Sequence, residues 1–182
     1  VIVVGAGLAG ASAALTLSHT LKVHVLEAKS PACGASGAAA GLVNPFMGRR
    51  ARPVWRLHSA LDAVSSLLDQ AGASALFPPQ GVLRPVVDDI QVDLFPEIAD
   101  QYPDLATWWP PDVVHERYPD VQAERGALFV PRGGAIDVSA MVDALLDAAQ
   151  AHGTTVETEA PVLYWRETPT SAVVEVDRGS ET

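Results

Sequence analysis

The chain has 182 residues, too few for a whole two-domain enzyme. Twelve Lys and Arg against 22 Asp and Glu give a net charge of −10, the wrong sign for tracking a phosphate backbone, so nucleic acid is not expected as a partner. With 48% apolar and 19% charged residues the chain has material for a buried core and lacks the profile of a disordered tract.

The single Cys33 allows no internal disulfide and no cysteine-based metal cage, which points to the cytoplasm or another reducing compartment and to no metal site. The apolar stretch from Val1 to Leu17 is broken by Gly5, Gly7, Gly10 and Ser12 and is too short and polar to span a bilayer. Val1 stands inside a β-branched run with no preceding methionine, so residues before it are expected to be missing, and targeting to an organelle stays open.

In chain order, Val1 to Val4 predicts a short buried strand, Gly5 to Gly10 a tight turn, Ala11 to Ser18 a helix and Leu21 to Leu26 a parallel strand. Pro31 to Gly48, rich in Ala and Gly, predicts a loop or short helix with accessible backbone. Val54, Leu57, Leu61, Val64 and Leu68 recur at spacings of 3, 4, 3 and 4, predicting a helix with Pro53 in its first turn and Gly72 at its end. Residues 77–121 are rich in Pro and aromatics and break the βαβ rhythm; strands are predicted at Gly81 to Leu83 and at Ala127 to Val130. Asp137 is the expected N-cap of a helix lined by Met141, Val142, Leu145, Leu146 and Ala149 and ended by Gly153. Strands are predicted at Thr154 to Thr158, Val162 to Arg166 and Ala172 to Asp177, with the stretch from Val162 returning to the first sheet.

The chemistry is carried by Gly5-Ala6-Gly7-Leu8-Ala9-Gly10, a G-x-G-x-x-G turn set between strand and helix. Gly5 permits the turn, Gly7 admits a pyrophosphate to the backbone, and Gly10 allows close packing of helix on strand. The helix N-terminus offers N–H donors and partial positive charge to that pyrophosphate. Glu27 ends the second strand, 17 positions after Gly10, where its carboxylate accepts from ribose hydroxyls and repels a 2′-phosphate.

The glycine turn alone does not separate NAD from FAD. The following segment, Ala35-Ser36-Gly37-Ala38-Ala39-Ala40-Gly41-Leu42-Val43-Asn44-Pro45, resembles the D-amino acid oxidase and glycine oxidase family of FAD-dependent oxidoreductases, as does Gly134-Ala135-Ile136-Asp137 with its helix. The resemblance runs over nearly the whole chain. It implies an α/β fold: an FAD-binding Rossmann-like domain of glutathione-reductase type with an inserted, partial α+β substrate domain. Residues 1–76 would form the first part of the FAD domain, 77–134 the insertion, and 135–182 the return. Carried over by position, Gly5, Gly7, Leu8, Ala9 and Gly10 would hold the pyrophosphate, and Glu27 with Ala28 the ribose. Ala35, Ser36, Ala40, Gly41 and Leu42 would meet pyrophosphate and flavin, and Val162 the adenine.

Other candidates have plainer readings. Arg49, Arg50, Arg52 and Arg56 fit a solvated cluster at the start of a helix better than an anion clamp. His58 fits a partly buried helix histidine better than a proton shuttle, and Cys33 an ordinary thiol better than a flavin thioether. Trp108 and Trp109 fit a pocket wall and a small core equally well.

The family's activity implies oxidation of a C–N bond in a small amino acid or secondary amine by hydride transfer to FAD. The family's substrate-carboxylate residues lie in the second half of the complete enzyme, so this chain is expected to be an amino-terminal fragment, inactive alone, with no catalytic residue assigned. A cofactor-binding module without turnover and an NAD-linked dehydrogenase are the alternatives.

Overall fold

The structure, a computed structural model, describes residues 1–78 and 80–177. Along the chain run β1 (Ile2–Val4), α1 (Leu8–Ser18), β2 (His24–Leu26), β3 (Leu42–Val43), β4 (Phe46–Met47), β5 (Arg52–Pro53), α2 (Leu57–Gln70) and a 3-10 turn at Ser74–Leu76. Then come β6 (Val82–Pro85), α3 (Asp89–Gln101), β7 (Thr107–Trp109), α4 (Pro111–Arg117), β8 (Ala127–Val130) and β9 (Gly134–Ala135). The chain continues with α5 (Val138–Ala151), β10 (Thr155–Glu157), β11 (Val162–Glu167) and β12 (Ala172–Val176). These elements divide into two compact units, one built from Val1–Gly41, Ser65–Leu76 and the chain from Asp137 onward, the other from Leu42–Val64 and Phe77–Ile136.

The first unit is a parallel sheet in the order β1-β2-β10, with Val3 opposite Val25 and Val156 opposite Val25 on the other side. Its helices α1 and α5 pack on each other. Helix α1 buries mostly small side chains, Ala11, Ala14 and Ser18 beside Leu15, which brings its axis close; α5 buries Met141, Val142, Leu145, Leu146 and Ala149. Asp137 caps α5 as expected, accepting from Ala140 N–H at 3.0 Å. The return to this sheet is made by β10, directly after α5. The stretch from Val162 was expected to join it and instead forms a separate antiparallel hairpin of β11 and β12. That hairpin leaves Leu163, Tyr164 and Trp165 exposed.

The second unit is α+β in composition, with an antiparallel sheet in the order β6-β8-β7. One cluster of buried residues joins Phe46, Leu61, Phe95, Ile98, Leu105, Leu128 and Val130. A smaller one joins Trp109, Val114, Ala123 and Ala127. Trp109 stacks on Phe129 at 4.1 Å and Trp108 packs against the larger cluster, so both tryptophans serve the two cores.

Two expectations are corrected here. Helix α2 starts at Leu57, because Pro53 is paired with Phe46 in the β4–β5 ladder and Arg56 adopts φ +52°, a left-handed turn no helix continues through. His58 is exposed, 3.5 Å from Asp104. Arg49 pairs with Asp88, while Arg50, Arg52 and Arg56 stand exposed, Arg56 over the Trp55 ring.

Asp88 is the N-cap of α3, accepting from Gln91 N–H at 3.0 Å. The Arg49 hydrogen bond holds its carboxyl below the usual carboxylate range. A depressed folded pKa contributes stability that is complete above the unfolded value of about 3.9 and is lost as pH falls through the folded value. Asp88→Asn, which keeps a cap acceptor and loses the charge, is therefore expected to lower the thermal midpoint at neutral pH. It should also shrink the difference from wild type as the pH drops below that range; a constant difference down to strong acid contradicts this account.

Among the described residues no helix is long and apolar enough to cross a membrane, and no group of three or more His, Cys, Asp or Glu is placed to hold a metal ion.

Candidate cofactor site

The site is built inside the first unit, where β1 ends and α1 begins. Gly5 turns at φ +95°, a conformation that a side chain resists, and its N–H donates to Leu26 O at 2.8 Å, holding the turn to the end of β2. A Cβ on Gly10 would stand 1.9 Å from Gly5 O, so only a glycine lets α1 start this close to the turn. Gly7 is the N-cap of α1 without a side-chain cap, and the first-turn N–H groups have no partner within the helix.

Two segments close around this turn. Glu27 follows β2, is 9% exposed, and its Oε2 accepts from Ala6 N–H at 2.7 Å. Its Oε1 accepts from Lys29 N–H at 3.0 Å and lies 3.8 Å from Cys33 Sγ. Oε2 keeps a second lone pair, whereas Oε1 takes both Lys29 N–H and the Cys33 thiol. The segment after Pro31 comes back over the turn: Ala32 N–H donates to Ala6 O at 3.0 Å, and Leu8 N–H donates to Ser36 Oγ at 2.9 Å.

The predicted residues fall into groups. Gly5, Gly7, Leu8, Gly10, Glu27 and Ser36 are drawn together through these bonds and close approaches. Ala9 lies exposed in the first turn of α1, and Ala28, Ala35 and Ala40 are exposed along the two segments. Gly41 sits at φ +68°, and Leu42, 60% exposed, opens β3 in the second unit. Val162 opens β11. Sequence reasoning passed over Ala32 and Gly37. Ala32 is buried at φ +55°, and a Cβ on Gly37 would stand 2.2 Å from Ala32 O. The density of glycines at 34, 37 and 41 was the available signal.

This arrangement fits a dinucleotide. Close backbone, a helix N-terminus and a carboxylate at the strand end make a cradle for pyrophosphate and ribose, and the carboxylate opposes a 2′-phosphate.

The sequence profile of the family described as DAO, FAD dependent oxidoreductase, matches residues 1–182. The chain belongs to this family of FAD-dependent oxidoreductases. As a member of the DAO family its cofactor is FAD. Among curated proteins it is similar to the tRNA 5-methylaminomethyl-2-thiouridine biosynthesis bifunctional protein MnmC of Idiomarina loihiensis. Identity is 30% over 160 residues, covering 82% of this chain and 25% of that protein. The same protein of Maricaulis maris is 30% identical over 154 residues, covering 84% and 23%. Among solved structures, glycine oxidase from Bacillus cereus superposes with a TM-score of 0.79 at 23% identity, covering 98% of this chain and 51% of that one. L-Amino acid deaminase from Proteus myxofaciens superposes at 0.83 with 17% identity, covering 98% and 42%. These likenesses show a shared mixed α/β fold. The chain spans about a quarter of the curated relatives' length and about half of the structural ones.

Proposed function

We propose that the protein carrying this chain is an FAD-dependent oxidoreductase acting on a C–N bond of a small amino acid or secondary amine. The observation that supports it is the glycine turn joined to both Glu27 and Ser36, inside a chain whose fold is shared with glycine oxidase. In this reading Gly5, Gly7, Leu8, Ala9 and Gly10 hold the pyrophosphate, and Glu27 with Ala28 the ribose. Ala35, Ser36, Ala40, Gly41 and Leu42 meet pyrophosphate and flavin, and Val162 the adenine. Residues 1–76 and 135–182 then form the FAD domain and 77–134 the start of the substrate domain.

FAD, when bound, supplies the hydride acceptor. The chain's own part is positional. The first turn of α1 presents N–H donors to the diphosphate, and Ser36, by accepting from Leu8 N–H, keeps the following segment against that turn. Glu27 holds the turn through Ala6 N–H while offering the remaining lone pair of Oε2 to a ribose hydroxyl.

The full-length protein is expected to purify yellow, to release FAD on denaturation, and to bleach anaerobically with a member of a panel of amino acids and secondary amines. A colourless protein that binds NAD in preference to FAD by calorimetry overturns the reading. Bound FAD with no bleaching by any amine favours a module without turnover. The names of the two curated relatives favour a second substrate, an amine on a modified tRNA nucleoside. Bleaching by tRNA carrying such a nucleoside, and not by free amino acids, would select it; the charge of −10 in this chain speaks for the small molecule.

A further inference from the structure

At the end of α1 opposite the glycine turn, three helix C-termini of the first unit meet. His19 is the C-cap of α1, His152 the C-cap of α5, and Gln70 the last residue of α2. The two imidazole rings are open to solvent and lie 4.6 Å apart between centres, tilted by 47°. Each ring makes one hydrogen bond that sets its tautomer. Ser18 Oγ–H donates to Leu15 O at 2.7 Å, so in the 3.0 Å bond between Ser18 Oγ and His152 Nδ1 the ring N–H donates and Ser18 accepts. His19 Nε2 lies 3.0 Å from Gln70 Oε1, while the amide nitrogen of Gln70 donates to Ser66 Oγ at 3.0 Å, so here too the ring is the donor. The nitrogens that keep a lone pair are then His19 Nδ1 and His152 Nε2. The surroundings favour a cation: helix C-termini carry carbonyls without helical partners and partial negative charge, and none of the three helices has a basic residue in its last turn.

We propose that His19 and His152 form a binding site for a divalent metal ion of the zinc type, with water completing its shell. Imidazole suits Zn2+, and a metal-ligating histidine donates its other ring N–H to a protein acceptor, as Ser18 and Gln70 accept here. With Zn–N bonds of about 2.0–2.1 Å, one ion shared by rings at this separation subtends an N–Zn–N angle of about 90°, which leaves room for two waters. Two protein ligands fall short of the four of a structural zinc site, so the ion is exchangeable. It ties the ends of α1 and α5 together, and because its ligands come from opposite ends of the chain it binds the folded state alone and stabilises it. The assignment rests on the two histidines and their partners and stands apart from the flavin reading.

The test is calorimetric titration of the metal-free full-length protein with ZnCl2, read beside thermal midpoints in Zn2+ and in Mg2+; neither readout depends on turnover. Wild type is expected to bind Zn2+ and to melt higher in Zn2+ but not in Mg2+. His19→Gln and His152→Gln should each lose at least tenfold in affinity for this ion together with the rise in midpoint, whereas His58→Gln, in the second unit, should match wild type. Ser18→Ala keeps both ligands but removes the acceptor that orients His152, and should weaken binding several-fold. A measurement on wild type alone guards against a variant that does not fold: Zn2+ should protect His19 and His152 together from diethylpyrocarbonate, read by peptide mass spectrometry, and leave His58 labelled. Zn2+ affinity equal to wild type in a folded His19→Gln or His152→Gln overturns the proposal. So does a wild type that binds no Zn2+, or equal labelling of the two histidines with and without it.

Discussion

Replacing Gly10 with alanine is expected to cost about 3 kcal/mol or more of stability and to weaken FAD binding roughly a hundredfold. The new Cβ would stand 1.9 Å from Gly5 O and 3.1 Å from its carbonyl carbon. These are backbone atoms that cannot swing aside, so either the start of α1 or the turn must move. Both carry the donors proposed for the pyrophosphate. Gly5→Ala separates collision from backbone conformation, because a Cβ there meets nothing within 4 Å and the penalty comes from φ +95° alone. It should cost less, about 1–3 kcal/mol. Thermal melts and retained FAD per mole of purified protein measure both. A Gly10→Ala protein that melts with wild type and keeps its FAD means that α1 does not start where this geometry has it.

The second large effect is expected at Glu27. Glu27→Ala removes the acceptor of Ala6 N–H, and Ala6 is fully buried, so the donor is left without a partner at a cost of about 1–3 kcal/mol. It also removes the proposed ribose acceptor, and FAD affinity should fall by about tenfold or more. Glu27→Gln distinguishes the two roles. Its amide oxygen can still take Ala6 N–H, but its NH2 faces the N–H of Lys29, a donor against a donor. Stability should therefore recover in part while FAD affinity stays low. Fluorescence quenching of FAD added to apoprotein, read beside the thermal midpoint, gives both numbers. If Glu27→Gln restores stability and binds FAD as wild type does, the carboxylate serves the turn and not the ribose.

The elements governed by local pattern were legible. The glycine turn, the Asp137 cap and the apolar face from Met141 to Ala149 each state their structure within one or two turns of chain. The stretch from Asp89 to Gln101 was not. Its N-cap and the buried positions Gln91, Phe95, Ile98 and Ala99 follow a helical period, but Pro96 inside it reads locally as a breaker. Packing of Phe95 and Ile98 in the larger core outweighs the hydrogen bond a proline cannot make. The start of α2 failed for another reason: Pro53 suits a first helical turn, yet it pairs with Phe46 in a tight hairpin and the chain turns through Arg56 at φ +52° before the helix begins, neither of which the apolar spacing of the helix shows.

The same division holds for function. Residue order and spacing alone determined a dinucleotide-type turn, an acidic residue at the second strand's end and a small-residue segment after it, because each is a local requirement of backbone approach. Only the tertiary structure decided that Ser36 closes onto Leu8, Glu27 onto Ala6, and Arg84 onto the carbonyls of Phe46 and Gly48. Those relations join residues 21 to 38 positions apart, and the pairing of distant groups is set by packing, not by spacing.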